Sequence, residues 1–310
     1  MPHDKPKLAA DFIVPLTMNG LEGRMLRVPA PGNKKREILF VYGHHSSLER
    51  WWGLVQDLNQ YGAVTVPDLP GFGGMESFYT IGQKPTIDAL ADYLAAFVKL
   101  RYNRKKVTIV GLSFGFVIVT RMLQRCPDLA KKVNLLISVV GFSHKNDFVF
   151  TKRRMAIYRA GTGLFSLKLP AIFFRNACLH PWVLRLAYSH THGAAEKFAN
   201  MTRAERHKTM NFEIKLWHAN DLRTHMATSS EFLNVDNCSQ TIDLPVWHIS
   251  VKADRYFDNH TVGQHMQIIF NDYQQVEAVT DNHAPSIIAD MEAAAPLIPA
   301  KIRRLLAKKP

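Results

Sequence analysis

The chain has 310 residues, 47% of them hydrophobic, and 39 lysines and arginines outweigh 26 aspartates and glutamates to give a net charge of +13. That size and apolar content call for a real core, in one large α/β domain with an insertion or in two modest domains. Several functions fall away at once.

No apolar run approaches the roughly 18 residues of a membrane span. The opening residues Met1, Pro2, His3 and Asp4 lead into no apolar signal core, so a cytoplasmic location is expected. Cys126, Cys178 and Cys238 are odd in number and far apart, against a disulfide framework or a C-x-x-C metal site. The 14 histidines include His44 and His45 side by side and the pair His190 and His192, but no H-E-x-x-H pattern accompanies them. Neither a metal nor a cofactor is expected. Zinc-finger spacing, an RNP-type strand and a long basic helix are missing from the sequence, so nucleic acid is not an expected partner. The basic balance leaves an anionic membrane surface as a weak partner.

In chain order, residues 12–18 and 23–29 read as two strands joined through Asn19 and Gly20, a hairpin. Residues 36–43 form an apolar strand ending in Tyr42, Gly43, His44 and His45. Ser46 with Glu49 three residues on predicts a capping box and a helix over 48–60, with Trp51, Val55 and Leu58 facing inward. A strand over 62–67 leads to Asp68, Pro70, Gly71 and Gly73, where Asp68 reads as a turn residue. Thr86 caps a helix carrying Ile87, Leu90, Leu94, Phe97 and Val98 on one face.

The strand that begins at Val107 runs into Gly111, Leu112, Ser113, Phe114 and Gly115, and then into an apolar helix. Strand, G-x-S-x-G and helix in succession lift one serine onto a sharp corner. Glycines two before and two after it remove the collisions that Cβ atoms would make there. Ser113 is the predicted nucleophile, and the Phe114 N–H at the start of the helix is one oxyanion donor.

A strand over 133–141 follows, and from 142 to about 240 no β alternation is visible. Helices are predicted over 152–159, 181–189 and 202–218, the last capped by Thr202 and Glu205. Large apolar side chains interleave with basic ones here, and Phe165, Phe173 and Trp182, with Tyr42 and His45, are the candidates for a substrate pocket. A strand over 244–251 ends near Asp254, and a final strand over 273–279 precedes His283.

These motifs resemble the α/β-hydrolase family, serine-nucleophile branch, over residues 12–141 and from 241 to about 300. The resemblance implies a mostly parallel eight-stranded sheet with a helical cap inserted after the sixth strand. The core would comprise 1–141 and 241–310, and the cap 142–240. It further implies a triad of Ser113, Asp254 and His283 in the chain order usual for the fold. Asp147, after the preceding strand, is the alternative acid. Tyr42, Gly43 and His44 stand where the family carries His-Gly-X, so the His44 N–H becomes the second oxyanion donor; its imidazole is expected in solvent, with a place in the pocket lining as the alternative. Phe116 departs from the family's small residue beyond the second glycine: either the helix stands off the sheet, or Phe116 faces away from it. The expected activity is cleavage of a carboxylic ester with an apolar acyl group. A thioesterase, carbon–carbon bond hydrolase or acyltransferase with the same triad, or a non-hydrolytic ligand-binding or interaction protein of this fold, is the alternative.

Overall fold

A computed structural model describes residues 8–190, 201–280 and 291–310. Its centre is one eight-stranded sheet: β1 (Ile13–Met18), β2 (Leu21–Val28), β3 (Arg36–Val41), β4 (Gly62–Pro67), β5 (Val107–Leu112), β6 (Val133–Val139), β7 (Val246–Ser250) and β8 (Tyr273–Glu277). Their spatial order is β1-β2-β4-β3-β5-β6-β7-β8. β2 runs antiparallel to both of its neighbours, β1 and β4, and the pairs from β4 onward are parallel.

The predicted hairpin forms, with Met18 opposite Leu21. Asn19 and Gly20 both take positive φ, 56° and 76°, as a two-residue turn between twisted strands requires. The central strands are apolar runs because helices cover both faces, among them α1 (Trp52–Asn59), α2 (Ile87–Arg101) and α3 (Phe114–Arg125); between β6 and β7 the chain forms α4 (Lys152–Phe165), α5 (Lys168–Cys178), α6 (Pro181–His190), α7 (Arg203–Ala219) and α8 (Leu222–Phe232). After β7 come α9 (Asn259–Ile269) and α10 (Ala300–Ala307). Ile302 and Leu306 seat α10 in the core, and buried Arg36 donates to the Leu306 and Lys308 carbonyls at its C-terminal end, where a cation is favoured.

Local signals hold at Thr86, whose hydroxyl accepts from Ala89 N, and at Thr202, which forms the full capping box with Glu205. At Ser46 they do not. A 3-10 turn over Leu48–Trp51 precedes α1, and the Ser46 hydroxyl accepts from the Trp51 indole at 2.6 Å instead of capping. Burying Trp51 takes the Ser46 hydroxyl as the acceptor for its indole N–H.

Phe116 neither faces away nor holds α3 off the sheet. It is fully buried against two glycines: a Cβ on Gly111 would stand 2.8 Å from Phe116 Cα, and one on Gly141 would stand 2.8 Å from Phe116 Cδ1. The bulk that the family keeps out of this corner is accommodated by backbone without side chains on both neighbouring strand ends.

Candidate active site

The C-terminal ends of β3, β5 and β6 meet at one edge of the sheet, and the backbone there is strained. Ser113 has φ 49° and ψ −119°, His45 has φ 53°, and Val140, a β-branched residue, has φ 44°. Such conformations persist only where the surroundings over-determine them, and they gather at functional sites. At Ser113 the surroundings are explicit. Its N–H donates to Val139 O at 2.9 Å and its carbonyl accepts from Phe116 N at 3.0 Å. A Cβ on Gly115 would lie 2.2 Å from Val41 O, so α3 approaches β3 closely only because residue 115 is glycine.

Gly43 brings the other half of the corner. A Cβ placed on it would come within 3.3 Å of Ser113 Cβ, so the Gly43–His44 peptide runs beside the serine. The Phe114 N–H opens α3 without an acceptor inside the helix. Both predicted oxyanion donors therefore border Ser113.

The His44 imidazole does not turn to solvent. It is enclosed by Phe72, Phe114, His225 and Phe232, with ring centroids 4.3–5.3 Å away. Its Nε2 lies 2.8 Å from the Thr228 hydroxyl, which also reaches Thr224 O. Burial, and next the neighbouring His225, holds the His44 pKa well below the ordinary range, which keeps the ring neutral.

Tyr42, a pocket candidate from the sequence, lies beneath the site and not in it: the wholly buried phenol donates to Asp68 Oδ1 at 2.6 Å and accepts from Leu69 N at 3.2 Å. Asp68 also accepts from Arg24 Nε at 3.1 Å, and burial pushes its carboxyl up to about 7 despite that cation. The tyrosine thus ties the end of β3 to the loop after β4.

Above Ser113 lies a cavity of about 580 Å³. His44, His45, Ser113 and Phe114 form part of its floor, Phe142 and Phe148 a wall, and Arg154, Tyr158 and Thr162 of α4 part of its roof. Phe232 and Leu233 at the end of α8 and Phe257 from the loop after β7 add apolar surface. Three guanidinium groups, those of Arg50, Arg154 and Arg255, line the cavity together with the carboxylate of Glu213. Burial lowers the Arg50 pKa, against the opposing pull of Glu213.

Of the five pocket candidates, His45 lines the cavity, its ring 4.2 Å from that of Trp217. The other four stand elsewhere. Phe165 packs on Phe174 at 4.7 Å, while Phe173 and Trp182 point outward, 69% and 62% exposed. The lining also takes Phe148 and Phe150 from the apolar segment after β6, and two residues that were not candidates, Phe232 closing α8 and Phe257, three residues past Asp254.

Asp254 sits on the loop after β7, and its Oδ1 accepts from Tyr256 N at 2.8 Å and Phe257 N at 3.2 Å. The three residues that follow it, Arg255, Tyr256 and Phe257, all reach the cavity. Asp147 is wholly buried and committed to structure: it accepts from Ser143 N and His144 N and pairs with His265 of α9, and it does not line the cavity. His283 lies outside the described residues.

Residues 37–162 match the alpha/beta hydrolase fold family. No curated protein matches the sequence. Among similar solved structures is an N-formylmaleamic acid deformylase from Pseudomonas putida, 16% identical with a TM-score of 0.62, covering 91% of this chain and 98% of that one. An esterase from a Rhodococcus species is 15% identical with a TM-score of 0.65, over 96% of this chain and all of that one, 100%. An epoxide hydrolase from Bacillus megaterium is 13% identical with a TM-score of 0.65, over 94% and 99%. At these identities the shared property is the fold.

Proposed function

Because the chain belongs to the α/β-hydrolase fold family, we propose that it is a serine hydrolase that cleaves a carboxylic ester with an apolar acyl group through an acyl-enzyme on Ser113. The observation that carries this reading is the strained Ser113, at φ 49°, on the floor of a cavity walled by phenylalanines. A serine held in that conformation for no chemical purpose would be a cost without return.

In the proposed cycle Ser113 Oγ attacks the ester carbonyl while His283 takes its proton. The Phe114 and His44 N–H groups hold the oxyanion. Asp254 orients His283, which gives the proton it took to the departing alcohol and, neutral again, activates water to release the acid. Neutral His44 is compatible with this arrangement, since the donor is its main-chain N–H and needs no charge on the ring. Related chemistries on the fold, among them the deformylase and the epoxide hydrolase, fit less well. The epoxide-hydrolase branch uses aspartate at the elbow, and the cavity's aromatic walls favour a longer apolar group than a formyl. The guanidiniums among those walls favour an acid or lipid headgroup at the far end.

The test is hydrolysis of p-nitrophenyl esters of increasing chain length. Medium or long acyl chains should give the highest kcat/KM, with a loss of at least about a thousandfold in Ser113→Ala. Equal rates in wild type and Ser113→Ala would remove the serine mechanism.

A further inference from the structure

Ten of the sixteen strongly exposed large apolar side chains among the described residues fall between Val149 and Leu186. They follow helical spacing. On α5, Leu169, Ile172 and Phe173 stand three and four residues apart and are 77%, 47% and 69% exposed, while Ala171 faces inward at 5%. On α6, Trp182 and Leu186 repeat the pattern at four residues, with Leu184 buried beneath. On α4, Ile157 and Leu164 lie on one stripe with Gly161. Three successive helices thus turn their apolar stripes outward, the reverse of what a water-facing helix does.

The charges around these stripes are of one sign. Residues 148–190 contain seven lysines and arginines and not one aspartate or glutamate. Lys168 and Arg175 flank the α5 stripe, Arg185 stands between Trp182 and Leu186, and Arg153 shares the α4 stripe one turn before Ile157. All four cations are exposed.

We infer that this outer face of α4, α5 and α6 docks on an anionic lipid bilayer. Leucine, phenylalanine and tryptophan on one side of a helix, with lysine and arginine beside them and no acid, are what the headgroup boundary of such a membrane receives. A second copy of the chain fits less well, because it would bring the same cations face to face. The adjoining stripe of α4, Arg154, Tyr158 and Thr162, lines the cavity above Ser113, so docking sets the mouth of the site against the lipid. The docking face stands apart from the hydrolase reading, which bears only on what the membrane delivers.

The experiment uses the full chain as Ser113→Ala and as wild type, sedimented with vesicles of phosphatidylcholine alone or mixed with phosphatidylglycerol. Both proteins should bind the mixed vesicles and neither the neutral ones. Each of Lys168→Gln, Arg175→Gln and Arg185→Gln should weaken binding about fivefold at low salt, from the worth of one basic residue near such a surface. Leu169→Ser with Ile172→Ser should weaken binding to the mixed vesicles at low salt by more than any one of the charge substitutions, while hydrolysis of a soluble ester stays unchanged. Trp182 emission should shift to the blue on binding. No affinity for the mixed vesicles, or binding indifferent to the serine substitutions, overturns the inference. So does a concentration-dependent dimer that those same substitutions dissolve. Loss of ester hydrolysis in Ser113→Ala with vesicle binding intact keeps the two proposals separate.

Discussion

Tyr42→Phe tests whether the residue that departs from the family's histidine supports the site or works in it. Its hydroxyl makes two buried contacts, donating to Asp68 Oδ1 at 2.6 Å and accepting from Leu69 N at 3.2 Å. A hydrogen bond to a charged group contributes about 1.5–3 kcal/mol, and an orphaned buried N–H costs about 1–3 kcal/mol. The substitution should therefore destabilise the protein by about 3 kcal/mol, read as the shift in a urea-unfolding midpoint. Burial already raises the Asp68 carboxyl to about 7. The lost donor matters most to the ionised form, so the deficit should grow as pH rises through that value. A double-mutant cycle with Asp68→Asn should return a coupling of about 2 kcal/mol. Ester hydrolysis at a temperature where Tyr42→Phe stays folded should fall only a few-fold. Unchanged stability with abolished hydrolysis would refute this reasoning and put the phenol in the cavity.

Gly115→Ala should cost more than about 3 kcal/mol, judged by thermal unfolding, because its Cβ would meet the Val41 carbonyl at 2.2 Å and backbone cannot swing aside. Ser113→Gly should be more stable than Ser113→Ala by about 1 kcal/mol, since only glycine accepts φ 49° and ψ −119° without strain, part of the gain being offset by its greater freedom when unfolded. Stability should also fall with acid. Burial lowers His225 and His248 to about 4, so between their ordinary value near ~6.5 and that point the unfolded chain binds protons that the folded chain refuses. Each histidine then removes up to about 1.4 kcal/mol per pH unit as pH drops, with nothing lost above ~6.5. Raised Asp68 works in the opposite direction over much of this window and offsets one of them. His248→Asn should flatten the slope by one histidine's share in urea titrations at several pH values, and an unaltered slope would contradict the assignment.

The sheet was legible because its signals are local: apolar runs bounded by turns, the Asn19–Gly20 hairpin, and the Gly111, Ser113 and Gly115 corner whose spacing follows from sterics. Capping residues were legible where nothing else competes for the hydroxyl, as at Thr86 and Thr202, and not at Ser46, which the Trp51 indole engages. The cavity was far less so. Hydrophobicity marks a residue for burial without saying what buries it, so Phe173 and Trp182 read as pocket residues although α5 and α6 turn them outward. The α8 sequence, with four hydroxyl residues and one histidine among eleven, shows no broad apolar stripe, yet it positions Thr228 on His44 and ends at Phe232 in the cavity wall. Tyr42 conveys in sequence only that the usual histidine is missing. Its partner Asp68, 26 residues away, becomes visible once β3 and β4 lie side by side.

Reaction with a fluorophosphonate followed by peptide mass mapping tests directly whether Ser113 is a nucleophile: one adduct is expected, on the peptide containing Ser113, lost in Ser113→Ala and slowed by at least about a hundredfold in His283→Ala. A folded protein that takes no label, or takes it on another residue, would contradict that role.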